Sequence, residues 1–60
     1  MKHLYQIDEH ETAEIQSFNG NYYISFFYDG SYASGASKFC SLEDAETNLY
    51  RLRPTATKTV

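Results

Sequence analysis

Cys40, His3 and His10 are the side chains of this 60-residue sequence with most to offer a nucleophilic or metal-dependent reaction. Cys40 immediately precedes "SLED", which reads as a helix start, and a helix N-terminus favours a thiolate over a thiol. A cysteine nucleophile also needs a base and a group that orients the base. No third orienting residue and no glycine-rich oxyanion loop accompanies Cys40. Zinc would require paired ligands at spacings such as C-x₂-C or H-x₃-H, and the two histidines and one cysteine form no such pair. The acidic run "DEHETAE" (residues 8–14) lacks the D-x-D-x-D-G order of a calcium loop. The expectation is a non-enzymatic chain with no cofactor and no metal, in which Cys40 is a small half-buried residue and the acidic run is a solvated connection.

Charge narrows the partners. Residues 1–30 carry Lys2 against Asp8, Glu9, Glu11, Glu14 and Asp29, while residues 31–60 carry Lys38, Arg51, Arg53 and Lys58 against Glu43, Asp44 and Glu46. The net charge of −3 is therefore concentrated in the front half. Affinity for a phosphate backbone needs a basic stripe, which is missing, whereas a basic protein surface would be attracted. The lone cysteine cannot form an intramolecular disulfide, and no stretch reads as a signal peptide or a transmembrane segment, so a cytoplasmic location is expected.

The densest chemistry is aromatic. "SFNGNYYISFFYDGSYASG" (residues 17–35) holds Phe18, Tyr22, Tyr23, Phe26, Phe27, Tyr28 and Tyr32, seven of the ten aromatic residues. Asn19-Gly20 and Asp29-Gly30 punctuate it. Both dipeptides suit type I′ hairpin turns, because Asn, Asp and Gly tolerate the positive φ that each central position requires. The spacing thus predicts a three-stranded antiparallel meander. Two-residue loops pair Ser17 with Tyr22, Ile15 with Ile24 and Ala13 with Phe26, then Phe26 with Ala33, Ile24 with Gly35 and Tyr22 with Ser37. Ala33, Gly35 and Ser37 would form a shallow lane on the core face, ended by Phe39.

Ahead of the meander, residues 1–7 alternate as a short strand with His3, Tyr5 and Ile7 on one side, joined by the loop 8–12 to a strand from Ala13. Behind it, Ser41 and Asp44 have the form of a capping box. Acids cluster in the first turn, Arg51 and Arg53 near the end, and Pro54 stops the helix. Leu42, Ala45, Leu49 and Leu52 share one stripe and are assigned to the core. The expected fold is α+β: a three- or four-stranded antiparallel sheet with one C-terminal helix on one face, a single domain over residues 1–54, and a flexible tail over 55–60. Such a chain hides only about 60% of its unfolded surface, so self-association or a partner would add needed stability.

If the helix covers Ala13, Ile15, Tyr22, Ile24, Phe26 and Phe39, then Phe18, Tyr23, Phe27 and Tyr32 lie on a face without cover. Contiguous apolar patches on small monomers mark interaction sites. Those four aromatics, with Asp8, Glu9, Glu11, Glu14 and Asp29, are the candidate partner-binding residues.

Two resemblances bear on function. The passage from Tyr28 to Leu52, a strand turn followed by Phe39, Ser41, Glu43, Ala45 and Leu49, resembles the strand-to-helix passage of arm-type DNA-binding domains at integrase N-termini. Those domains read DNA with a sheet face rich in arginine and lysine, where this chain offers Lys38 among aromatics and Glu14. In size, acidity and layout, strands first and one helix last, the whole chain resembles small phage proteins that block host defences, including anti-CRISPR proteins. That likeness implies an inhibitor that binds a host protein or ribonucleoprotein complex in the host cytoplasm, its acids filling basic sites normally taken by phosphates and its aromatics serving as anchors. The alternatives are a single-stranded nucleic-acid or DNA binder that stacks bases on the same aromatics, and a homodimer joined through that face.

Overall fold

The computed structural model describes residues 2–59, with backbone alone at residue 37. Six elements follow one another: β1 (Lys2–Gln6), β2 (Glu11–Phe18), β3 (Asn21–Tyr28), β4 (Ser31–Phe39), α1 (Leu42–Leu52) and β5 (Thr57–Lys58). The strands form one antiparallel sheet in the order β4-β3-β2-β1-β5, and α1 packs on one of its faces. The α+β class with a helix on an antiparallel sheet is as expected, but the sheet has five strands rather than three or four.

Both hairpins turn where the dipeptides require. Asn19 and Gly20 have φ of 51° and 79°, Asp29 and Gly30 of 50° and 82°, and the flanking pairs are Phe18–Asn21 and Tyr28–Ser31. The first hairpin keeps the predicted register throughout. The acidic run contributes more than a loop, because β2 begins at Glu11. Asp8 makes this early start possible: its Oδ1 accepts from the backbone N–H of His10 at 2.8 Å and of Glu11 at 2.7 Å. Those two hydrogen bonds also hold the Asp8 carboxyl below its usual range.

The second hairpin departs from simple alternation. Phe27 faces Tyr32 but Phe26 faces Ser34, so Ala33 is an extra residue, and a second irregularity lies between the pairs Ile24–Ala36 and Tyr22–Phe39. Lys38 takes a left-handed φ of 69° there. One bulge reverses the alternation and the next restores it. The predicted lane of Ala33, Gly35 and Ser37 is therefore replaced by Ser34 and Ala36, opposite Phe26 and Ile24, with Gly35 on the far face opposite Ser25. The side chain of Ser37 lies outside the described residues. Phe39 nevertheless returns to the helix-covered face, as predicted, although its partner there is Tyr22, which the two-residue loop would have paired with Ser37.

The core comprises Tyr5, Ile7, Ala13, Ile15, Ile24, Phe26, Ala45 and Leu49, with Tyr22, Phe39, Leu42 and Ala56 packed against it. Ser41 caps α1, its Oγ accepting from the Asp44 N–H at 3.1 Å, and the Arg53 N–H closes the other end on the Leu49 carbonyl at 2.7 Å. Leu52 is 49% exposed and does not join the core stripe. Arg53 instead swings back over the sheet, its guanidinium 5.0 Å from the Phe26 ring centre and its Nε 3.1 Å from a Glu11 carboxylate oxygen.

Residues 55–60 were expected to be a loose tail, and the structure differs. The Ala56 N–H closes a turn on the Arg53 carbonyl, Ala56 packs on the core, and Thr57 and Lys58 pair with Gln6 and Tyr5 of β1. Thr59 then donates from its N–H and its Oγ1 to the Leu4 carbonyl. Val60 lies outside the described residues. Without β5, β1 would present an open edge; the polar sequence "TATKT" pairs through its backbone, so it needs no hydrophobic alternation to do so. Among the described residues no helix is long and apolar enough to cross a membrane.

Candidate functional site

The face opposite α1 can be followed as rows across the strands. Thr57, Gln6, Thr12, Phe27 and Tyr32 lie side by side in the first; Leu4, Glu14, Ser25 and Gly35 in the second; Lys2, Gln16 and Tyr23 in the third; Phe18 and Asn21 in the last. Strict alternation from the type I′ turns places Phe18, Tyr23 and Phe27 here, and the bulge at Ala33 leaves Tyr32 with them. All four predicted aromatics thus share the uncovered face. Phe18 and Tyr32 are 66% and 65% exposed, while Tyr23 and Phe27 are half-buried among their neighbours.

Phe27 and Tyr32 meet edge to face, with ring centres 6.0 Å apart. Tyr32 also reaches over the second row, its hydroxyl 2.9 Å from where a Cβ on Gly35 would stand. Ser25 and Gly35, both small, occupy the second row between Tyr23 and the Phe27–Tyr32 pair. Over β1 and β2 the same face holds a depression of about 360 Å³ lined by Leu4, Gln6, Thr12, Glu14, Phe27 and Thr59, among others. Glu14 stands in its wall with its side chain 19% exposed, 3.5 Å from the Nζ of the exposed Lys2.

The predicted acids do not assemble into one surface. Glu14 is on the aromatic face, but Glu11 lies on the other side, bound to Arg53. Asp8 orders the β1–β2 connection, and Asp29 sits in the second turn with its Oδ1 2.9 Å from the His10 Nδ1. The His10 ring stacks on Tyr28 at 5.6 Å. Glu9 is exposed in the same connection as Asp8. Asp8, Glu9 and Asp29 therefore belong to one end of the sheet, where His10 ties the β1–β2 connection to the β3–β4 turn.

Cys40 is exposed rather than half-buried. His10 is engaged by Asp29, and His3 is opposite Ile15 on the helix-covered side of the sheet. Among the described residues no three His, Cys, Asp or Glu side chains converge as a metal site requires.

Leu4, Gln6, Thr12 and Thr59, which bound the depression, were not singled out in the sequence. Alternation in β1 does carry a signal for the first two, since His3, Tyr5 and Ile7 on the core side put Leu4 and Gln6 on the other. Their place beside Glu14 and Thr12 follows only from the pairing of β1 with β2, and that of Thr59 only from β5. Compared with family models, curated proteins and solved structures, the chain matches none, and the likenesses to integrase arm domains and to phage inhibitors rest on its sequence alone.

Proposed function

We propose that this chain is a non-enzymatic protein-binding module that engages a basic surface of its partner with the aromatic outer face of its sheet, acting in the cytoplasm as a stoichiometric inhibitor of a host nucleic-acid-handling complex. The observation that carries this reading is the collection of Phe18, Tyr23, Phe27 and Tyr32 on the one face that α1 leaves bare, with Phe18 and Tyr32 about two thirds exposed. Rings held in water by a domain this small are a cost that burial in an interface would recover, and buried aromatic anchors supply most of the energy in such contacts. The net charge of −3 steers the chain towards basic partners. Because Asp8, Glu11, Glu14 and Asp29 each have a partner within the chain, the aromatics contribute the anchoring and the acids the long-range attraction.

The test is Phe18→Ser with Tyr32→Ser, which removes two exposed rings and leaves the core intact. Circular dichroism should show an unchanged fold. Recovery of the partner from host lysate, measured beside the wild-type chain by quantitative mass spectrometry, should fall at least about tenfold. A folded variant that recovers the same partner in full would sink the proposal. Tight binding of single-stranded DNA that weakens steeply with salt would replace the protein partner by nucleic acid.

A further inference from the structure

We infer that the depression beside Glu14 receives an arginine side chain of the partner, an inference that rests on the protein-binding function proposed above. Its volume of about 360 Å³ is at the small end of the range of ~300–1,000 Å³ typical of ligand sites. Its walls fit an arginine part by part. Leu4 and the Phe27 ring offer apolar surface to the aliphatic stem and to the flat face of a guanidinium. Glu14 supplies a carboxylate whose two oxygens match the guanidinium fork.

The lining side chains carry charge of one sign, with the Lys2 ammonium standing beside them. Among the described residues, and apart from Tyr5, whose hydroxyl is spent on Glu46 beneath the sheet, Glu14 is the only ionisable side chain lining the depression. Gln6 donates its Nε2 to the Asp8 carbonyl, which leaves its Oε1 to accept. Acceptors, an aromatic ring and an aliphatic wall together select a cation with a planar head. Glu14 now meets the ammonium of Lys2 at 3.5 Å, and Lys2 is 61% exposed on a flexible stem. Exchange of that solvated partner for an incoming guanidinium loses little, since exposed ion pairs contribute little. Phe27 both lines the depression and packs on Tyr32, so the depression adjoins the aromatic face and gives it a charged end.

The experiment titrates the isotope-labelled chain with the peptide acetyl-Gly-Arg-Gly-amide and, separately, with its citrulline counterpart, which has the same shape and no charge. Saturable amide shifts at Leu4, Thr12, Glu14 and Phe27 with arginine, and none with citrulline, are expected. Glu14→Gln should weaken the arginine complex by at least about fivefold, and Lys2→Ala, which removes the competing ammonium, should tighten it by roughly two- to fivefold. Equal shifts with citrulline, shifts centred elsewhere on the chain, or unchanged arginine binding by Glu14→Gln overturn the inference. Should Glu14→Gln not fold, the Lys2→Ala and citrulline comparisons decide the matter alone. Partner capture by the Phe18→Ser, Tyr32→Ser variant reads the proposed function independently: if it falls while the peptide titration is silent, the function stands and the arginine site does not.

Discussion

The Tyr5 hydroxyl donates a 2.5 Å hydrogen bond to Glu46 Oε2 and so ties the first strand to the helix across 41 residues of chain. The same oxygen lies 3.3 Å from the Lys58 Nζ, and the Tyr50 ring packs edge-on against that of Tyr5 with centres 6.1 Å apart. Three segments distant in sequence, β1, α1 and β5, thus meet around one carboxylate. Tyr5→Phe keeps the ring in the core and removes the donor. A hydrogen bond to a charged group contributes about 1.5–3 kcal/mol, so urea denaturation should show a loss of that order with an unchanged dependence on denaturant.

Tyr5 also predicts alkaline behaviour. Its hydroxyl is held above the ordinary tyrosine range, first by burial and then by donation to Glu46. A raised folded-state pKa means that its contribution is complete below the unfolded value of about 10 and is lost as pH rises beyond it. Ultraviolet titration should show one tyrosine that ionises only as circular dichroism reports unfolding. A full complement of tyrosines titrating near pH 10 in the folded chain would contradict this.

The acid limb follows from Glu46 and Asp8. Glu46 is held below its usual range, chiefly by the Tyr5 hydrogen bond, and Asp8 by the backbone N–H groups of His10 and Glu11. For a depressed pKa the stabilisation is present above the unfolded value, about 4, and fades as pH falls through the folded one. Stability measured at pH 3 should therefore be lower than at pH 6. Glu46→Gln, which still accepts from Tyr5 and no longer titrates, should make the decline between those pH values shallower.

Gly35 has a steric role on the aromatic face. A Cβ there would come within 2.9 Å of the Tyr32 hydroxyl and 3.0 Å of the Ile24 carbonyl. Gly35→Ala is expected to lower stability by about 1–3 kcal/mol, in the range of overpacking. Adding Tyr32→Phe removes the nearer atom, so the double variant should regain part of the loss. Strict additivity in thermal denaturation would show that the two residues do not touch.

Lys38 holds a left-handed φ of 69° at the second bulge of β4. That conformation costs a side-chain-bearing residue about 1–2 kcal/mol, and glycine adopts it freely, at the expense of a more disordered unfolded chain. Lys38→Gly should accordingly raise the midpoint of thermal unfolding, by a net effect of up to about 1 kcal/mol. A lower midpoint would mean that the lysine side chain contributes contacts that outweigh its backbone strain.

The local features of this fold were legible because each depends on neighbours in the chain. Asn19-Gly20 and Asp29-Gly30 dictate type I′ turns, Ser41 and Asp44 dictate the helix start, and alternation from the first turn dictates that Ala13, Ile15, Ile24 and Phe26 face the core while Phe18, Tyr23 and Phe27 face away. Tertiary structure decided what depends on distant backbone. β5 pairs through N–H and C=O groups that every residue but proline carries, so its sequence holds no sign of it. The bulges in β4 are equally silent: residues 33–36 are small, two insertions cancel in parity, and only packing against β3 and α1 decides where the strand bends. Leu52 satisfied the helical stripe, but the chain's turn after Arg53 laid a guanidinium over Phe26 and left the leucine in water. For the same reason the acids could be counted in the sequence but not placed. Glu11 and Glu14 are three residues apart on one strand, and the odd spacing sends one to Arg53 beneath the sheet and the other to the depression above it.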